Sequence, residues 1–292
     1  MGSDVLSKHN VGIILFVAVW AVLAAMFGYA DLTISRAVAD PEAGWARVFT
    51  AFGEHPAMLL AWAAASLAVR LLRSPGLAWR LLQAACAAVA AAIGAAAVLI
   101  AAGRWFGIAP SPALIAVSLA LSAAVSWIAQ MLLRRLPDEQ LEPYRAAVWA
   151  TLAVIAGELL LVHLLKLAWG RVRFRDLLPD ASNFAKWYAP QRVSGHRSFP
   201  SAHAANAWTL LCLLMYVPER RKSWSLAALV LAAGWGLATA YSRIVSGAHY
   251  ASDVLFGSCL TISLFYAAWR FGGWTSRPLR FGPKRSRLLK TR

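Results

Sequence analysis

The chain is a succession of long apolar runs, several of about 20 residues, the length a helix needs to cross the hydrocarbon core of a bilayer. Eight runs can be delimited, at roughly 11–30, 56–72, 78–102, 110–133, 146–168, 202–217, 224–241 and 250–269. With 60% hydrophobic and only 14% charged residues, the composition is too apolar for an ordinary soluble domain of this size. The expected fold is all-α: one polytopic transmembrane helical bundle over 1–269, followed by a basic tail, 270–292. The first run begins near Val11 and no clear small-residue cleavage site follows it, so it reads as a retained helix rather than a removed signal peptide. The third and fourth runs are rich in Ala and Gly, which suits close helix packing. The fourth starts at "APSPAL", where prolines fit a first turn. The sixth run is short, and can still cross if its upstream loop dips into the protein.

The net charge is +16. No basic, aromatic-interleaved soluble module accompanies it, so nucleic acid is not an expected partner. The Lys and Arg residues instead set topology. Arg70, Arg73 and Arg80 bracket the link between runs two and three; Arg134, Arg135 and Arg145 lie between four and five; Arg220, Arg221 and Lys222 lie between six and seven. The tail carries eight more, from Arg270 through Lys284 to Arg292, with no acid. An even number of spans puts all of these on one side, expected to be the cytoplasm of a cell whose inner membrane holds the protein, with both termini cytoplasmic. The opposite side receives 31–55, a turn at Gly103–Ala109, the long 169–201 segment and 242–249. Segment 169–201 breaks the charge rule, with Arg171, Arg173, Arg175, Lys186, Arg192 and Arg197 facing outward. Positive charge there calls for another use, and a phosphate-bearing substrate is one. Cys86, Cys212 and Cys259 sit inside apolar runs without metal-ligand spacing and read as packing residues.

Three clusters fall at outward ends of runs. "KLAWGRVRFR" places Lys166 at the end of run five and Arg173 seven residues later; "SFPSAH" places Ser201 and His203 at the start of run six; "SRIVSGAHYASD" places Ser242 and Arg243 after run seven, then His249 and Asp253 at the mouth of run eight. Each has a bland reading. Lys166 can be a snorkelling end residue, Ser201 a helix cap, and His249 with Asp253 a helix-mouth hydrogen bond between residues on one face. Two His, an Asp and three cations at one membrane face are costly without a task. The chemistry they suit is phosphoryl transfer. Lys166, Arg173 and Arg243 supply charge, and Ser201 and the N–H groups at the start of run six supply hydrogen bonds to phosphate oxygens. A neutral imidazole, His249, attacks phosphorus, Asp253 fixes its tautomer, and His203 protonates the leaving oxygen. No acidic cluster suggests a catalytic metal, and no cofactor is expected.

These motifs resemble the type-2 phosphatidic acid phosphatase superfamily, integral-membrane lipid phosphate phosphatases with the signature K-x-x-x-x-x-x-R-P, P-S-G-H and S-R-x-x-x-x-x-H-x-x-x-D. Here the first part is Lys166 to Arg173 followed by Phe174 in place of Pro; the second is Pro200-Ser201-Ala202-His203, with Ala in place of Gly; the third is complete in Ser242, Arg243, His249 and Asp253. The resemblance covers about 145–270. It implies a six-helix phosphatase core, with runs three and four as an added hairpin. It also implies His249 as nucleophile, Asp253 as its partner and His203 as the acid that later activates water. Lys166, Arg173, Ser201, Ala202 through its N–H, and Arg243 then bind phosphate. Neither departure removes a functional side chain.

The expected function is a metal-independent hydrolase of a lipid phosphate or diphosphate at the outer face of the membrane, with undecaprenyl diphosphate, phosphatidylglycerol phosphate, phosphatidic acid and lipid A as candidate substrates. A lipid phosphotransferase would use the same phosphoenzyme. A non-catalytic lipid-binding or transport protein would be expected to have lost His203, His249 or Asp253. A channel is disfavoured because Glu158 and His163, below Lys166, are the only mid-membrane ionisable residues the reading identifies; they are either a packing pair or a support for Lys166.

Overall fold

The computed structural model describes residues 2–72, 76–218 and 221–273, with side chains from Val11 onward. Arg73, Arg220 and the basic tail beyond Gly273 lie outside the described residues. All regular structure among the described residues is helical. In chain order the helices are α1 (Gly2–Val38), α2 (Gly44–Phe52), α3 (His55–Leu71), α4 (Leu77–Phe106), α5 (Pro112–Leu133), the single turn α6 (Asp138–Leu141), α7 (Arg145–Trp169), α8 (Ala202–Trp208), α9 (Lys222–Val245) and α10 (Ala251–Phe271). Six helical segments are long and apolar enough to cross a membrane: those containing α1, α4, α5, α7, α9 and α10. α3, with 17 residues, and the α8 segment fill the two remaining runs. The protein is a polytopic helical membrane protein, with most of its large apolar side chains directed outward along these helices.

The short sixth run reaches further than its length suggests. α8 passes directly into a 3₁₀ helix, Thr209–Tyr216. A 3₁₀ helix rises about 2.0 Å per residue against about 1.5 Å for an α-helix, so Ala202–Tyr216 extends roughly 26 Å rather than about 22 Å. Winding, rather than a dipping loop alone, brings this segment close to bilayer thickness.

Packing separates a core from an appendage. α8 lies against α7, α9 and α10; α1 packs on α10; α3 packs on α7. The α4–α5 hairpin lies against the outside of α3. Its seam is built of small side chains: Ser118, Ser122 and Ser126 recur every fourth residue of α5 and are all buried. Ser126 Oγ accepts from Trp62 Nε1 of α3 at 2.9 Å. The hairpin starts as its prolines indicate, with Pro112 in the first turn and Ser111 Oγ accepting from Leu114 N–H at 3.2 Å. At the far end of the hairpin Arg70 is buried rather than a free topology charge. It donates to the carbonyls of Leu133, the last residue of α5, and of Leu136 in the turn beyond, and pairs with Asp138 at 2.5 Å.

At the other end of the bundle the ends of α1, α4, α7 and α9 meet the starts of α3, α8 and α10. Asp40 N–H donates to Val245 O at 2.7 Å, tying α1 to α9. α7 stops at Gly170, whose φ of 55° is left-handed and whose missing Cβ leaves room for the Arg192 carbonyl of the long loop. Gly257 of α10 faces the Ser201 backbone, so α10 and the start of α8 come together closely. The segment expected only as a connection at 31–55 holds more structure than that: α1 continues to Val38, and the amphipathic α2 packs on α9 and α4.

Candidate active site

A cavity of about 650 Å³ opens at this end of the bundle. Among its wall residues are Lys166, Arg173, Ala202, His203, Arg243 and His249, which belong to three clusters far apart in sequence. Local structure explains each placement. Lys166 lies in the last turn of α7, and its Nζ donates to the Arg197 carbonyl at 2.7 Å. Arg173 follows on the loop, where Arg175 N–H is bonded to Gly247 O at 2.9 Å, so the first cluster is stitched to the third. Arg243 lies in the last turn of α9, and its carbonyl accepts from the N–H groups of both Ala248 and His249, each at 3.1 Å. That tight turn folds His249 back towards Arg243. Arg173 Nε and Arg243 Nε are buried with no hydrogen-bond partner among the described residues. Such donors are costly to leave unmet and are available to an anion.

Ser201 and Asp253 stand behind the wall rather than on it. Ser201 is fully buried; its Oγ accepts from Ala204 N–H at 3.4 Å, and its N–H donates to Asp253 O at 2.9 Å. It serves as the N-cap of α8. Ala202, the first helical residue, has no left-handed backbone strain and lines the cavity. Phe174, where the family signature has Pro, presents its ring edge-on to Tyr250 at 6.3 Å.

His249 is 3% exposed. Its Nδ1 lies 3.5 Å from Asp253 Oδ2, close enough to feel the charge and short of a full hydrogen bond. Burial holds its pKa down to about 3, against the opposing pull of Asp253, so the imidazole is neutral near pH 7 with Nε2 free to act. Asp253 is itself tightly held. Ser198 Oγ donates to Oδ2 at 2.5 Å, Tyr250 N–H donates to Oδ2 at 3.1 Å, and Arg171 donates to Oδ1 at 2.6 Å.

Several residues at this end escaped the sequence reading. Arg171, counted there as one more loop cation, is only 1% exposed. Its Nε donates to Ala185 O at 2.7 Å, one terminal nitrogen reaches Ser252 and Asp253, and the other reaches Asp31 of α1 at 2.8 Å. Its guanidinium carbon lies 4.0 Å from the centroid of the Tyr250 ring. Thr50, Glu54 and Arg104 also line the cavity. Arg243 donates to Thr50 Oγ1 at 2.6 Å. His203 Nδ1 is 3.3 Å from Glu54 Oε1, and its Nε2 is 2.9 Å from an Arg104 terminal nitrogen, which also donates to Glu54 Oε2 at 2.7 Å. The one available signal for Asp31, Glu54 and Arg104 was an ionisable residue at the end of an apolar run. Glu158 is completely buried on the cavity wall, and His163 Nδ1 instead faces the Leu159 carbonyl at 2.7 Å.

The cavity wall carries six basic side chains, Arg104, Lys166, Arg173, Arg175, Arg197 and Arg243, against Glu54 and Glu158. Such a wall suits a multiply charged anion. No group of three or more His, Cys, Asp or Glu able to hold a metal ion occurs among the described residues.

Comparison with known proteins gives the following. Residues 147–277 match the PAP2 superfamily. The chain is 38% identical over 119 residues to a lipid A 4'-phosphatase of Rhizobium leguminosarum, covering 39% of this chain and 49% of that protein. It is 38% identical over 120 residues to a lipid A 4'-phosphatase of Rhizobium etli, covering 39% of this chain and 45% of that protein. A lipid A 4'-phosphatase of Bacteroides thetaiotaomicron is 34% identical over 83 residues, 28% of this chain and 31% of that protein. The chain thus spans half or less of the length of these curated relatives. No solved structure matches it.

Proposed function

With a PAP2 superfamily domain at residues 147–277 as the premise, we propose that the protein is a phosphatase acting on a lipid phosphate or diphosphate, through a phosphohistidine at His249 and without a metal. The observation that carries this reading is the cavity itself. A neutral, buried imidazole shares it with Lys166, Arg173 and Arg243 at the ends of apolar helices. The relatives named as lipid A 4'-phosphatases put a lipid A-type phosphate first among the candidate substrates.

The proposed reaction has two halves. His249 Nε2 attacks phosphorus, the P–N bond forms, and the ester P–O bond breaks. The leaving oxygen takes a proton from His203. Lys166, Arg173 and Arg243 hold the non-bridging oxygens as charge builds on them, with the Ala202 N–H contributing a further donor. Water then attacks the phosphohistidine and gives a proton to His203; the P–N bond breaks and orthophosphate leaves. Asp253 orients His249 and stabilises the charge it acquires while phosphorylated. Ser201 supports phosphate binding by starting α8 at this position.

The test is phosphate release from a panel of lipid phosphates by the purified protein. Activity is expected to persist in EDTA and to fall with vanadate, which adopts the trigonal-bipyramidal geometry of the transferring phosphoryl group. Loss on chelation with recovery on adding Mg²⁺ would contradict the metal-free scheme.

We place the cavity on the extracytoplasmic side, because the segments at the opposite end carry the more consistently basic links. With Cys86, Cys212 and Cys259 replaced, a cysteine at Ser194 is expected to react with an impermeant thiol reagent in spheroplasts, and one at Lys284 is expected to stay unreactive. The reverse pattern would move the substrate to the cytoplasmic leaflet.

A further inference from the structure

Resting on the phosphatase reading above, we propose that Glu54 is a positioning residue for His203, braced by Arg104, so that residues outside the matched domain complete the acid–base half of the site. Glu54 and Arg104 come from the α2–α3 junction and the last turn of α4, whereas the matched domain spans 147–277. The added hairpin then has a task beyond filling the membrane.

The geometry separates this from an ordinary surface ion pair. Glu54 is the residue before α3, yet its carboxylate makes no capping hydrogen bond to that helix. It turns into the cavity, where its side chain is 16% exposed, and divides its two oxygens between Arg104 and His203. A pair formed with Arg104 alone has no need of the imidazole. Nδ1 of His203 faces the Glu54 carboxylate at 3.3 Å, which favours hydrogen on this nitrogen. Nε2 lies between two partners of opposite kind, an Arg104 terminal nitrogen at 2.9 Å and the Thr50 carbonyl at 3.3 Å, so it can accept from the first or donate to the second. The ring is thereby held with Nδ1 towards the Glu54 carboxylate and Nε2 on the cavity side, and both the neutral and the protonated ring find partners there.

That arrangement is what the two half-reactions require. In the first, the imidazolium of His203 gives the Nε2 proton to the leaving alkoxide as the P–O bond breaks. In the second, neutral Nε2 takes a proton from the attacking water. A carboxylate at Nδ1 stabilises the imidazolium between these events and prevents the ring from presenting the wrong nitrogen. When Nε2 carries hydrogen, the Arg104 guanidinium beside it turns to another acceptor, which the phosphate oxygens supply. Glu54 acts through His203 and does not touch the reacting atoms.

The experiment uses the full chain with two substrates: a short-chain phosphatidic acid, and its analogue with sulfur in place of the bridging ester oxygen. An alkoxide needs a proton to leave and a thiolate does not, and kcat/KM reports the first half-reaction. Glu54→Gln is expected to lower kcat/KM about 100-fold on the oxygen ester and no more than about tenfold on the sulfur ester. The oxygen-to-sulfur ratio then falls at least about tenfold. Arg104→Gln is expected to shift the ratio in the same direction by a smaller factor; it decides the matter if Glu54→Gln does not fold. A structural role alone lowers both substrates together, so an unchanged ratio in the folded variants overturns the proposal. Wild-type protein that cleaves neither ester, nor any lipid phosphate of the panel, overturns instead the phosphatase reading on which the proposal rests.

Discussion

His249→Ala is expected to lose lipid phosphate turnover by about 10⁴-fold or more while remaining folded in detergent. In the proposed scheme every catalytic cycle passes through a bond from this imidazole to phosphorus, and no neighbouring group can replace it. Lys166, Arg173 and Arg243 are donors only, and His203 is occupied by Glu54 and Arg104. Folding should be spared because His249 lines the cavity and its closest charged partner is 3.5 Å away. Asp253 keeps its bonds to Ser198, Tyr250 and Arg171 without it. Two measurements check this. Radiolabelled substrate quenched in alkali should leave an acid-labile phosphoryl adduct on wild-type protein and none on the variant. Melting curves of the two should nearly coincide. Near-normal phosphate release by the variant would remove His249 from its role.

Arg171→Met is expected to act on folding instead. The methionine keeps apolar bulk but removes the countercharge shared by Asp31 and Asp253, which are 1% and 0% exposed. Stripping one partner from a buried ionic cluster costs about 3–5 kcal/mol, a large part of the roughly 5–15 kcal/mol that holds a typical domain together. The melting temperature should fall by on the order of 10 °C, or the protein should fail to accumulate. Arg171→Lys should rescue little, because one ammonium cannot span Ala185, Asp31 and Asp253 as the guanidinium fork does. Adding Asp31→Asn to Arg171→Met should recover part of the loss, since it removes one of the stranded charges. A single variant that melts with the wild type would show that this cluster does not hold the bundle end together.

Much of the fold was legible because apolar run length maps directly onto helices. Six of the eight runs correspond to helical segments long and apolar enough to cross a membrane, the other two to α3 and to α8 with its 3₁₀ continuation, and small-residue composition marked the hairpin that packs close through Ser118, Ser122 and Ser126. α2 was missed because nine residues with two polar positions resemble a loop when no partner surface is known; its apolar face gains meaning only against α9 and α4. The six cavity-lining motif residues were legible for a different reason. The proposed phosphoryl chemistry needs particular side chains, and three clusters of that kind lay at matching run ends, which the fold brings to one cavity. Asp31, Glu54, Arg104 and Arg171 carry no motif. Their meaning is relational: Arg171 looked like one outward cation among several until its carboxylate partners were placed beside it. Ser201 shows the converse. Its motif suggested phosphate contact, and the structure gives its hydroxyl to the start of a helix.

The Arg171 cluster also has an order in time. Its first carboxylate lies 140 residues before it and its second 82 residues after it. During synthesis Asp31 emerges with α1, well before Arg171, its partner in the finished fold. Asp253 comes only with α10, after the other described helices. It is the residue beside His249 and the one that accepts from Ser198 and from Arg171. A nascent chain that stalls before α10 therefore holds a matched acid–base pair but no set imidazole. His249, the proposed nucleophile, thus gains its neighbouring carboxylate only with α10, the last of the described helices, and copies that stop before it lack that partner.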